Sequence, residues 1–322
     1  MGRRMMSPRW SAAALAALVL PFLPASAVAN SPVSAAPSHQ RLLDRIDLPN
    51  GWQPEGITTD GDRLYVGSLA NGAIFKVNPA TGHGRVLAQG ATGRTAVGVD
   101  YDPWHNLVWV AGGATNTVRA QNARTGRVRA TYTFPSTTPR FLNDLVVTRR
   151  GVYATDSSNQ ELAVVPFRKD GSLRPPRAAR TLPLTGDLAY TSDTADFDLN
   201  GIVRSHGRLL AVQSNTGKLF RINKRTGVTR ALNLGGYQLT NGDGLEIHRH
   251  TLFVVRNVNN LLAQLHLNRR LTKATLVREL TSPSLDVPTT VALQDRRLWA
   301  VNARFTTTPT PDTPYWITRV PR

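Results

Sequence analysis

One short apolar pattern returns six times along the chain: Leu64-Tyr65-Val66, Val108-Trp109-Val110, Val152-Tyr153-Ala154, Leu209-Leu210-Ala211, Leu252-Phe253-Val254 and Leu298-Trp299-Ala300. Most copies are rich in β-branched or aromatic residues and helical periodicity is nearly absent, which predicts strands. A turn and a further strand follow most copies. The clearest are Gly72-Ala73-Ile74-Phe75-Lys76-Val77-Asn78 with the turn Pro79-Ala80-Thr81-Gly82, and Leu219-Phe220-Arg221-Ile222-Asn223 with Lys224-Arg225-Thr226-Gly227. The copies stand roughly 43 to 57 residues apart, a spacing that suits a four-stranded propeller blade and exceeds a leucine-rich or ankyrin repeat. The predicted fold is therefore all-β: a six-bladed β-propeller, closed by pairing a strand near Leu42–Leu48 with the last blade.

A second pattern precedes the first in nearly fixed register. It consists of Glu55-Gly56-Ile57, Val97-Gly98-Val99, Asn143-Asp144-Leu145, Asn200-Gly201-Ile202, Asp243-Gly244-Leu245 and Thr289-Thr290-Val291. The innermost strand of every blade begins beside the central channel, so equivalent positions in six blades converge on one ring. Four of those positions carry oxygen ligands: Glu55, Asn143, Asn200 and Asp243. Two carboxylates and two amides form an all-oxygen set, which predicts a central metal site suited to Ca²⁺. Zn²⁺ or Mn²⁺ could also bind, but a set without His or Cys favours Ca²⁺. Without a cation the two carboxylates would repel each other across the channel. Val97 and Thr289 are the ring positions expected not to coordinate.

Asn-Gly and Asp-Gly are also hairpin turn signals. Against that reading, most units already carry a turn further on, at Asp60-Gly61, Arg150-Gly151, His206-Gly207 and His248-Arg249-His250. The segment Asp196-Phe197-Asp198-Leu199-Asn200-Gly201 opens like an EF-hand loop, but its twelfth position is Gly207 rather than Glu, so an EF-hand is excluded. The acidic stretch from Asp193 to Asp198 falls in the longest repeat and is expected to form an extended loop, either a lid over the channel or a solvated insertion. His206, His248 and His250 fall in predicted turns and are expected at the surface. Asp156-Ser157-Ser158-Asn159 could edge a pocket, or simply make a turn. No nucleophile elbow, zinc-protease helix, phosphate loop or dinucleotide fingerprint is present.

The N-terminus changes the setting. Arg3, Arg4 and Arg9, an apolar run from Ala12 to Leu23 and the small residues 25–29 read as an export signal, so residues 1–29 are expected to be removed and the protein secreted. Arg3-Arg4 leaves the twin-arginine route open. Residues 30–40, rich in Ser, Ala and Pro, predict a flexible linker, and 41–322 the propeller. No later stretch is long and apolar enough to span a membrane. The chain has no cysteine, which excludes disulfides, thiolate metal sites and cysteine nucleophiles. Its formal charge of +18 falls to about +15 without the three signal arginines. That favours acidic neighbours such as a cell-surface polymer, or is merely a basic solvated surface. The basic residues are scattered, which gives no support to specific nucleic-acid binding. A closed propeller with protected edges predicts a monomer.

The ring pattern, from Gln53-Pro54-Glu55-Gly56-Ile57 to Val287-Pro288-Thr289-Thr290-Val291, resembles the SMP-30/gluconolactonase/LRE-like family, six-bladed calcium propellers that are also similar to paraoxonases. The resemblance implies that Glu55 and Asp243 supply the carboxylates and Asn143 and Asn200 the amides of a metal site. It further implies hydrolysis of a lactone or related ester, with Asp243 as the catalytic residue that activates water. The paraoxonase histidine pair has no counterpart, since Val97 and Thr289 stand at the ring. Nor is there the last-blade glutamate of strictosidine-synthase-like propellers. The competing expectation is a secreted propeller without catalysis, whose metal is structural and whose basic face binds an acidic polymer or a protein.

Overall fold

The computed structural model describes residues 43–191 and 197–322. The expected signal peptide (1–29), the linker (30–40) and most of the acidic stretch 193–198 lie outside the described residues. Six antiparallel sheets follow one another in the chain: 54–88, 99–133, 142–183, 199–231, 242–280 and 288–320. In each, the strands run in chain order from the channel outward. The fourth sheet gains a short parallel strand, Thr185–Gly186, at its outer edge. Each inner strand lies against that of the next blade, and the first against the sixth. The six repeated apolar triplets are the second strands of the six blades, as their spacing predicts.

Closure is made as expected, by a strand from the N-terminal side. Arg45–Leu48 pairs antiparallel with Tyr315–Val320, Arg45 opposite Thr318 and Leu48 opposite Tyr315. The sixth blade thus takes strands from both ends of the described chain. This leaves no blade one strand short.

The second strands have no polar face because each blade is packed on both sides. Side chains alternate across a strand. In the second blade Trp109 therefore joins the core shared with blade three, while Val108 and Val110 join the core shared with blade one. Six buried clusters result, one between each pair of adjacent blades. Burial on both faces explains a continuous apolar run where a half-exposed strand would alternate.

The inner strands carry the irregularity that matters for the site. In five of them the pairing with the second strand slips: between Pro54 and Ile57, Leu142 and Leu145, Leu199 and Ile202, Gly242 and Leu245, and Pro288 and Val291. Each slip is a β-bulge in which two residues face one, and a bulge re-aims the side chains it contains. The bulged pairs are Glu55-Gly56, Asn143-Asp144, Asn200-Gly201, Asp243-Gly244 and Thr289-Thr290. In the second blade the corresponding Val97-Gly98 stands just ahead of the inner strand Val99–Asp102.

Candidate metal centre

Glycine takes the second place of a ring pair where neighbouring blades press together. A Cβ on Gly98 would stand 2.5 Å from the Asp144 Cα, and one on Gly244 2.7 Å from the Thr290 Cα. These glycines are places of close approach between blades, which decides against the hairpin-turn reading of the Asp-Gly pair. Backbone links join the same positions: the Gly98 N–H donates to the Asn143 carbonyl at 2.8 Å, and Thr289 Oγ1 donates to the Glu55 carbonyl at 2.7 Å. Thr289 therefore holds the first blade to the sixth rather than serving the ring as a ligand.

All four expected ligands are buried, with relative exposures of 6% for Glu55, 5% for Asn143, 7% for Asn200 and 3% for Asp243. Three of them keep a buried oxygen with no hydrogen-bond donor: Glu55 Oε2, Asn200 Oδ1 and Asp243 Oδ1. An unpartnered buried polar atom costs about 1–3 kcal/mol, and more if charged. Net domain stability is only about 5–15 kcal/mol, so three such atoms together are a heavy load. The remaining oxygens and nitrogens are anchored. Asn143 Nδ2 donates to Ser157 Oγ at 3.0 Å, which commits its nitrogen and leaves Oδ1 as the atom that could face a cation. Ser157 Oγ donates in turn to the Leu199 carbonyl of the next blade at 2.6 Å. Asn257 Nδ2 donates to Asp243 Oδ2 at 2.9 Å, which leaves Oδ1 as the oxygen without a donor.

Electrostatics point the same way. Burial first, then the charges of Asp243 and Asp144, push the Glu55 carboxyl well above the usual range. Burial raises Asp243 to about 7, against the Asn257 hydrogen bond and the nearby Asn200 amide and Gly244 N–H that pull it down. Two carboxyls that resist ionising together, beside two amides, are a donor set that a hard dication satisfies. The residues present thus fit a divalent cation. Among the described residues no three His, Cys, Asp or Glu side chains cluster as a metal site; the ring offers two carboxylates and two amides instead.

Sequence reasoning missed the supports. Ser157 and Asn257 stand in the same register, each just after a second strand, as does Ser214, whose Oγ donates to the Gly242 carbonyl. A small polar residue recurring five positions after the start of the triplet was the available signal. Asp156 makes the turn: its Oδ1 accepts the Ser158 and Asn159 N–H groups at 3.0 and 3.1 Å. Further along the channel, Asp100 Oδ2 accepts the Val147 N–H at 2.8 Å, Asp144 Oδ2 the Ile202 N–H at 3.0 Å, and Glu246 Oε2 the Leu293 N–H at 3.3 Å. Each of these carboxylates staples its blade to the next. His206 and His250 stack at 5.0 Å on the hairpins at the other end of the inner strands, away from the ring.

No family model and no curated protein sequence matches the chain. Solved structures do. The major allergen Mala s 1 of Malassezia sympodialis is similar over 87% of this chain and 96% of its own, at 14% identity and a TM-score of 0.65. Virginiamycin B lyase from Staphylococcus aureus is similar over 80% of each chain, at 14% identity and a TM-score of 0.55. A Lactobacillus plantarum protein is similar over 77% of each chain, at 16% identity and a TM-score of 0.53. At such identities the likeness shows the six-bladed propeller fold alone.

Proposed function

We propose that the protein is a secreted, divalent-cation-dependent hydrolase of a lactone or related ester, of the kind its ring pattern resembles. The observation that carries this reading is the trio of buried oxygens without donors, Glu55 Oε2, Asn200 Oδ1 and Asp243 Oδ1, converging from three blades. Glu55, Asn143, Asn200 and Asp243 would hold the cation, Ca²⁺ in preference to Zn²⁺ or Mn²⁺. When bound, it supplies Lewis-acid polarisation of the ester carbonyl. Asp243 receives the proton of the attacking water, as a carboxylate within hydrogen-bond reach of that water can. Asn257 holds Asp243 Oδ2 and leaves Oδ1 to the cation. Phe141 and Phe197, edge to face at 5.1 Å just ahead of the Asn143 and Asn200 positions, offer an apolar wall to the substrate. The export signal of residues 1–29 supports secretion.

The near-complete burial of the four ring side chains favours a second reading, a cation that only locks the blades. The test is lactone hydrolysis by the mature protein after chelation and return of Ca²⁺, Zn²⁺ or Mn²⁺, against sugar and aliphatic lactones. The hydrolase reading expects metal-restored turnover that falls about 10²-fold or more in Asp243→Asn at saturating metal. Metal that raises the melting temperature while no lactone is opened would establish the locking role instead.

A further inference from the structure

A cavity of about 850 Å³ opens at the channel mouth opposite the ring. It takes in none of the four ring ligands but begins beyond them, at Ile57, Val99, Leu145 and Ile202. We propose that this mouth is a separate binding site for a small anion bearing two or more phosphate or sulfate groups, gripped by Arg149, Arg204, Lys224 and Arg249 beside Trp104.

The cations come from three blades. Arg149 stands in the first hairpin of blade three, Arg204 near the end of the inner strand Leu199–Ser205, Lys224 in the outer turn of blade four, and Arg249 in the first hairpin of blade five. Among the described residues none of the four is in an ion pair. Their crowding is felt at Lys224, whose pKa is lowered by burial and then by Arg150 and Arg204. A cavity of this size is typical of small-ligand sites.

None of the described carboxylates in the cavity is ion-paired with the four cations, and Asp60 is paired with Lys76 instead. Asp144 spends both oxygens on the Leu145 and Ile202 N–H groups, and Glu246 on those of Ile247 and Leu293. Asp100 takes Thr58 Oγ1 and the Val147 N–H, with Arg204 near enough to pull its pKa down but not in an ion pair. These groups lie mid-strand, while the cations project from strand ends and turns, so an anion at the mouth meets the guanidinium forks first. Trp104, 40% exposed, has Arg204 at 5.5 Å and Arg149 at 5.9 Å from its ring. An anion drawing those arginines away changes the surroundings of its indole.

The test titrates the mature protein with inorganic tripolyphosphate at constant ionic strength, by calorimetry and tryptophan fluorescence. Saturable one-site binding is expected, weakened about tenfold or more in Arg204→Gln/Lys224→Gln. The surface pair Arg129→Gln/Arg269→Gln should bind like the native protein. Trp104→Phe should keep binding while losing the fluorescence response, which provides a readout should the double variant fold poorly. Absence of saturable binding, equal loss in the surface pair, or a fluorescence response unchanged by Trp104→Phe would overturn the proposal. Because the site is at the opposite mouth, none of these results depends on the ring or on lactone hydrolysis.

Discussion

At the scale of single residues, the ring works through side chains that never reach the channel as ligands. Asn257 holds one oxygen of Asp243 and Ser157 holds the nitrogen of Asn143. Loss of such a support typically weakens metal binding by 10- to 100-fold while the ligands themselves remain. Asn257→Ala should therefore bind Ca²⁺ about 10- to 100-fold more weakly than the native protein, read by calorimetry at pH 7.5. Unchanged affinity would remove Asn257 from the account. The ring positions Glu55, Asn143, Asn200 and Asp243 were legible in the sequence because each stands nine residues before a triplet. Asn257 and Ser157 were not, since nothing local to Asp156-Ser157-Ser158-Asn159 distinguishes a turn from a turn that also braces a neighbour.

At the scale of the element, the deciding device is the bulge. It places two residues of five of the inner strands opposite one of the second strand, and neighbouring blades pack tightly there. Gly98→Ala would put a methyl 2.5 Å from the Asp144 Cα, and backbone cannot yield as a side-chain tip can. Overpacking of this sort costs about 1–3 kcal/mol, so the urea midpoint should fall with an unchanged slope. A midpoint equal to the native one would show that the blades move apart freely. The sequence carried the bulge only indirectly, as a glycine in the second place of three of the five bulged pairs. Strand existence was plain from the apolar triplets. The slip in register was not, because it is set by contact with the next blade rather than by the strand's own residues.

At the scale of the whole molecule, closure and charge are coupled. The six-fold repeat and the closing strand Arg45–Leu48 followed from the chain's periodicity, since a blade needs a fourth strand and the segment ahead of the first blade supplies it. The gathering of half-buried and buried acids in the channel did not follow, because Asp100, Asp144 and Glu246 belong to different blades and meet only after closure. Burial raises these three to about 6, 7 and 8, and Asp243 to about 7, from about 4 in an unfolded chain. A raised carboxyl leaves stability intact below the unfolded value and loses it as pH climbs to the folded one. In chelator the melting temperature should therefore fall from pH 5 to pH 8. Ca²⁺ should restore most at the upper end, where the ring is ionised; a metal-free protein equally stable across that window would refute the coupling. The most direct test of the central claim is calorimetric titration of Ca²⁺ into chelator-treated mature protein and its Glu55→Gln and Asp243→Asn variants. One ion per chain is predicted for the native protein, with binding lost or greatly weakened in both variants; no binding, or binding that both substitutions leave unchanged, would contradict a metal centre on the propeller axis.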